Sequence, residues 1–193
     1  MKRLSRRAFL RQGTGVTAAA AAFQIVPRHV IGASNGTSPN EKLNIAGIGV
    51  GGMGAANLGN LESENIVALC DVDREYAAKT FAKYSGAEVY TDYRVMLEKQ
   101  KEIDAVVIAT PDHTHAVIAA AAMRAGKHVY CQKPLTHTVQ EARRLAQIAR
   151  ETGVCTQMGI QGHSGKDARR VCEWVASGVL GPIREVIAWC SLT

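Results

Sequence analysis

Acidic residues are missing from the first 33 positions, which carry Lys2, Arg3, Arg6, Arg7, Arg11 and Arg28. That absence explains the formal charge of +6, because without those six the chain holds 17 basic and 17 acidic residues. The excess sits at one end, so charge makes no case for a nucleic-acid partner. Cysteine is sparse as well. Cys70, Cys131, Cys155, Cys172 and Cys190 are odd in number, and no two form C-x-x-C. Neither a disulfide framework nor a zinc site is expected, nor any other metal. Most of these cysteines fall inside apolar patterns, where the residue acts as a small hydrophobe. Long apolar runs are lacking too: the alanine-rich stretch 14–26 is shorter than the about 20 residues a membrane span needs. There is no internal repeat, and no low-complexity tract beyond this leader.

What is present begins with Ser5-Arg6-Arg7-Ala8-Phe9-Leu10-Arg11, a twin-arginine pattern ahead of the apolar run. Residues 1–33 read as a twin-arginine signal peptide, cleaved near Ala33. The implied partner is the twin-arginine export machinery and the implied location is the periplasm. An uncleaved amphipathic arm or membrane anchor is the competing reading. The twin-arginine route carries proteins already folded, often with a cofactor bound. Residues 34–41 are rich in Gly, Ser, Asn and Pro, and read as a linker.

From residue 42 onward, strands alternate with helices. Strands are expected at 43–48, 66–70, 89–91, 105–109, from 129, and at 155–158. Helices are expected at 74–84, 93–100 with Asp92 as N-cap, and 115–125 ending at Gly126. A further helix opens on the capping box Thr138-x-x-Glu141 and ends at Gly153, and the last runs from Ser164-x-x-Asp167 to Gly178. Several strands are apolar on both faces, the mark of a parallel sheet covered by helices on each side. The fold class is therefore α/β, a doubly wound parallel sheet of Rossmann type over 42–163. Residues 164–193 read as a connecting helix and the start of a C-terminal α+β domain of which only a first strand, 183–189, is present. Trp174 and Trp189 are expected to be packing groups, Trp174 within a helix and Trp189 beside the rest of that C-terminal domain.

Gly49-Val50-Gly51-Gly52-Met53-Gly54 follows the first strand and opens a helix, and Asp71 ends the second strand. Each part has a physical task in binding a dinucleotide. Gly49 permits the tight turn, Gly51 lets the backbone approach a pyrophosphate, and Gly54 lets helix pack on strand. Free amides at the helix start, from Gly52 and Met53 onward, meet the phosphates. Asp71 is placed to accept the adenosine ribose hydroxyls, which favours NAD over NADP because a carboxylate repels a 2′-phosphate. Arg74 lies near enough to weaken that preference, and a capping role for Asp71 is the plainer alternative.

Two further segments end strands: Thr110-Pro111-Asp112-His113-Thr114-His115 and Tyr130-Cys131-Gln132-Lys133-Pro134. Strand ends are where open α/β sheets place ligands. On its own, His115 reads equally as a first-turn helix residue, and Lys133 as a surface charge.

With the glycine loop and Asp71, these segments resemble the glucose–fructose oxidoreductase/inositol dehydrogenase (Gfo/Idh/MocA) family, in particular its exported members. The likeness runs from residue 42 to about 190. It implies an NAD(P)-dependent oxidoreductase acting on a sugar, polyol or sugar derivative, with Lys133 as the catalytic lysine near the nicotinamide. It implies that Thr110, Pro111 and His115 line the cofactor cleft beside Gln132. The family hallmark is Glu-Lys-Pro, whereas this chain has Gln132-Lys133-Pro134, an amide in place of a carboxylate. Family members continue further and are homo-oligomers, so on this resemblance the chain is expected to be truncated. The same residues are compatible with a glycosidase or lyase that recycles NAD, and with a non-catalytic NAD-binding fragment.

Overall fold

The computed structural model describes residues 41–189. The expected leader over 1–33 lies outside the described residues, as do nearly all of the expected linker and Cys190. Among the described residues, no helix is long and apolar enough to cross a membrane.

Apolar runs bounded by turn residues form six strands: β1 (Asn44–Ile48), β2 (Asn65–Cys70), β3 (Glu88–Tyr90), β4 (Ala105–Ile108), β5 (His128–Gln132) and β6 (Thr156–Gly159). All pair in parallel, in the order β3-β2-β1-β4-β5-β6. In register, Ile48 faces Cys70 on one side and Ile108 on the other. Between the strands run α1 (Gly52–Gly59), α2 (Ala78–Lys83), α3 (Tyr93–Lys99), α4 (His115–Arg124) and α5 (Val139–Thr152). Two helices follow the sheet, α6 (Gln161–Ser164) and α7 (Lys166–Ala176).

Side-chain alternation along the strands divides the core in two. Ala46, Ile48, Val106 and Ile108 turn to one face, where they pack with Met96, Met123, Leu145 and Ile148 of α3, α4 and α5. Ile45, Leu69 and Val107 turn to the other, against Leu58 of α1. Leu58 and Ile148 are fully buried, and each such side chain contributes about 1.5–3 kcal/mol of transfer free energy.

The helix ends are capped as the sequence indicates. The Asp92 carboxylate accepts from the Arg94 amide at 2.8 Å. The Thr138 hydroxyl accepts from the Glu141 amide at 3.2 Å, while the Glu141 carboxylate accepts from the Thr138 amide at 2.9 Å. Gly153 (φ 69°) closes α5 in the left-handed region that glycine adopts without strain.

Three expectations need correction. The helix expected over 74–84 is α2, which starts only at Ala78, because Asp73 Oδ1 accepts from the amides of Glu75 and Tyr76 and holds a turn there. Ser164 does not cap the last helix: it ends α6, and Gly165 is the N-cap of α7 with no side-chain bond. Residues 183–189 form no strand, since they have no ladder partner among the described residues and all are exposed. Trp174, within α7 as expected, is 47% exposed, and Trp189 is 86% exposed among the described residues.

Burial also sets cysteine chemistry. It pushes the Cys131 thiol up to about 12. Burial does the same to Cys70, with the Asp71 and Asp92 carboxylates adding to the shift. A thiol raised that far is less than about 0.1% thiolate at pH 8. Mass mapping after iodoacetamide treatment at pH 8 should therefore find Cys155 and Cys172, both exposed, modified while Cys70 and Cys131 stay unlabelled. Labelling of Cys70 at the rate of Cys155 would contradict this packing.

Candidate cofactor-binding site

Where β1 and β4 lie side by side, their following connections leave toward opposite faces of the sheet. Open α/β sheets bind ligands at such a point, outside the carboxyl ends of the strands. A cleft of about 570 Å³ lies there, lined from the ends of β1 (Gly49, Gly51, Gly52, Met53), β2 (Asp71, Val72, Asp73, Tyr76), β3 (Thr91, Tyr93) and β4 (Thr110, Pro111, His113, Thr114). Val117 and Ile118 of α4 complete an apolar wall.

The glycines are accounted for one by one. Gly49 turns at φ 76°, and a Cβ there would stand 2.7 Å from the Ala109 backbone. A Cβ on Gly54 would fall onto the Gly49 carbonyl oxygen, so α1 rests on β1 through this residue. Gly51 differs from both. Its backbone is extended (φ −71°, ψ −169°), a conformation open to any residue, and the nearest atoms its Cβ would meet belong to the ring of Tyr76. Tyr76 is 67% exposed, so that ring can swing aside. With the Tyr76 ring moved off Gly51 and Gly52, their backbone face is a cradle that a side chain at either position would fill, and the first-turn amides of Gly52, Met53 and Gly54 have no acceptor within the helix. This geometry fits a pyrophosphate.

Asp71 Oδ2 accepts from the amides of Val50 (2.7 Å) and Gly51 (3.2 Å), and Oδ1 accepts from Asp73 N (3.0 Å). The residue thus fastens the glycine loop, the plainer of its two expected roles. A carboxylate takes about four hydrogen bonds, so one acceptor position stays open to a ribose hydroxyl. Asp73 lines the same cleft as a second carboxylate, while Arg74 does not line it.

The residues from the resemblance divide. Thr110 and Pro111 line the cleft. His115 does not: it is 1% exposed, with Nδ1 2.6 Å from the Pro134 carbonyl oxygen and Nε2 2.8 Å from that of Thr110. Those carbonyls draw the ring inward, behind the wall it was expected to form. Gln132 is also buried, at 5% exposure, and does not line the cleft. Its Nε2 donates to Asn57 Oδ1 and its Oε1 accepts from Lys133 N, both at 3.3 Å, tying the end of β5 to α1. Lys133 is exposed just past β5, outside the cleft, and the Lys133–Pro134 peptide is cis. Among the described residues, no carboxylate pairs with the Lys133 ammonium.

Sequence reasoning missed Tyr76, Asp73 and Asn57. Asp73 and Tyr76 had a legible signal, since an aspartate two residues past a strand-ending acid favours a turn that points Tyr76 back at the loop. Asn57 had none, because its partner is 75 residues away.

A parallel sheet of this order with a glycine loop at its switch point defines a dinucleotide-binding Rossmann protein. The model of the Gfo/Idh/MocA family, described as an oxidoreductase family with an NAD-binding Rossmann fold, matches residues 43–160. The chain belongs to that family. Inositol 2-dehydrogenase of Rubrobacter xylanophilus is 33% identical over 147 residues, covering 74% of this chain and 42% of that protein. The crystal structure of an NAD binding oxidoreductase from Klebsiella pneumoniae is 36% identical, with TM-score 0.61, covering 72% of this chain and 40% of that one. A 3-ketoreductase from Actinomadura kijaniata, solved with TDP-benzene and NADP, is 29% identical with TM-score 0.67 over 74% of this chain and 46% of that one. The chain thus spans less than half the length of these relatives.

Proposed function

We propose that this chain is the cofactor-binding part of an exported NAD-dependent oxidoreductase that acts on a sugar, polyol or sugar derivative. The observation that carries the reading is the glycine loop at the β1–β4 switch point, with Asp71 fastened beneath it. The first-turn amides of α1 hold the pyrophosphate, and the open acceptor position of Asp71 takes a ribose hydroxyl. The chemistry supplied at such a site is hydride transfer between a carbinol carbon and the nicotinamide ring. Lys133, past the end of β5, binds the substrate hydroxyl and takes or returns its proton. The buried Gln132 orders the backbone at Lys133 through the Lys133 amide. The rest of a full-length enzyme supplies the substrate side, and the likeness to an inositol dehydrogenase supports a polyol or sugar there. Assembly into homo-oligomers belongs to the same reading. The twin-arginine leader supports folding and cofactor loading before passage to the periplasm.

Two carboxylates at the end of β2, with no arginine lining the cleft, favour NAD. Titration calorimetry should give NAD a Kd about a hundredfold below that of NADP, the effect of about 2.7 kcal/mol of repulsion at the 2′-phosphate. Equal affinities would remove Asp71 and Asp73 from cofactor choice. The activity is tested in full-length enzyme by following reduced nicotinamide across a set of polyols and sugars. Accumulation with at least one of them supports the oxidoreductase. Product formed without net reduction would support instead an enzyme that recycles its cofactor.

A further inference from the structure

The ring of Tyr76 lies on the glycine loop. A Cβ on Gly51 would collide with that ring, and one on Gly52 would stand 2.5 Å from its hydroxyl oxygen. The ring therefore covers the backbone face that a pyrophosphate must reach to meet the first-turn amides of α1. Ring and phosphate cannot share that space, so each excludes the other.

Local structure explains how the ring comes to be there. Asp73 Oδ1 accepts from the Tyr76 amide at 2.9 Å and fixes the backbone from which the ring hangs. The next residue, Ala77, is fully buried in the core with Val50 and Leu58. One turn on, Thr80 Oγ1 donates to the Val50 carbonyl oxygen at 2.7 Å. These ties hold the Tyr76 backbone beside the loop. The side chain itself is held less firmly. Tyr76 is 67% exposed, and its hydroxyl has no hydrogen-bond partner among the described residues. Rotation about the Cα–Cβ bond lifts the ring away and leaves every backbone tie in place.

We propose that Tyr76 is an internal competitor for the pyrophosphate site: its ring rests on Gly51 and Gly52 in the free chain and swings away before a dinucleotide docks. The inference rests on the cofactor-binding reading above. It adds what sets the affinity of that site. The apparent Kd is the intrinsic Kd divided by the fraction of chains whose ring is off the loop, so a ring at rest there about nine times in ten weakens binding about tenfold. The competition is with phosphates. Adenosine carries the base and ribose alone and makes no demand on the loop amides, whereas ADP and NAD both do. The ring acts on the free chain, so it slows capture of the cofactor and has no hold on its release.

The test compares wild type with Tyr76→Ala. Calorimetry measures the affinities for NAD, ADP and adenosine, and stopped-flow mixing with NADH, followed by the cofactor's own fluorescence, measures the rates. The variant should bind NAD and ADP about tenfold more tightly and adenosine as wild type does. The gain should lie in the association rate, with dissociation unchanged. Damage to the fold does not tighten binding, so a gain of this kind reports the ring itself. Unchanged or weaker binding of NAD and ADP overturns the proposal. So does an equal gain for adenosine, because the ring would then obstruct the cleft at large. Faster release with unchanged association overturns it too, and makes Tyr76 an ordinary contact of the bound cofactor. If neither chain binds NAD or ADP, the cofactor-binding reading fails and the competition fails with it. A wild type that binds NAD, beside a variant that binds it no better, fails the competition alone.

Discussion

Gly51→Val should leave the fold standing and raise the Kd for NAD at least about a hundredfold, about 2.7 kcal/mol. The separation comes from backbone geometry. Gly51 adopts a conformation that valine also adopts, and the nearest obstacle to its side chain is the ring of Tyr76, which at 67% exposure has room to move. Gly51 is itself buried, so the variant bears the cost of displacing that ring, about 1–3 kcal/mol, which leaves the fold in place. Binding has no such escape. A branched side chain would stand where a pyrophosphate must come within hydrogen-bond distance of the first-turn amides, and nothing else offers those amides. Neighbouring glycines do not make this distinction. At Gly49 a positive φ and the Ala109 backbone resist any side chain, and at Gly54 the Gly49 carbonyl does. Variants at those two sites lose binding through the fold. Denaturant melts beside calorimetric titrations check the claim, and a Gly51→Val chain that bound NAD as wild type does would place the dinucleotide elsewhere.

Lys133→Met in full-length enzyme should lower kcat about a thousandfold, about 4 kcal/mol, while leaving NAD affinity within about twofold. The methionine keeps most of the length and apolar stem of lysine and removes the ammonium, the only part the proposed chemistry uses. Lys133 is exposed and outside the cleft that holds the glycine loop, so cofactor binding loses no contact seen here. Its backbone amide, which donates to Gln132, is unaffected by the substitution. Parallel loss of turnover and NAD binding would make Lys133 a structural residue. Retained turnover would pass the proton to another group.

The sheet was legible because its signal is local. Runs such as Ala105–Ile108 are apolar on both faces, and glycines, Asp92 and the Thr138–Glu141 pair mark the ends of the neighbouring helices. All six strands lie within about two residues of where the pattern places them. The glycine loop was legible for the same reason, since its task depends on consecutive backbone positions. The two errors at the site fall where a distant partner decides. Burial of His115 depends on a carbonyl 19 residues away, and that of Gln132 on an amide 75 residues away. No periodicity reports either. Residues 183–189 alternate like a strand, but alternation supplies no neighbour to bond with.

The central claim is that dinucleotide phosphates bind to main-chain amides at the start of α1. Proton–nitrogen NMR during titration with NAD tests it most directly. The account predicts that the amides of Gly52, Met53 and Gly54 shift first and furthest, saturating at one NAD per chain. Saturable binding that left those three amides unmoved would contradict it.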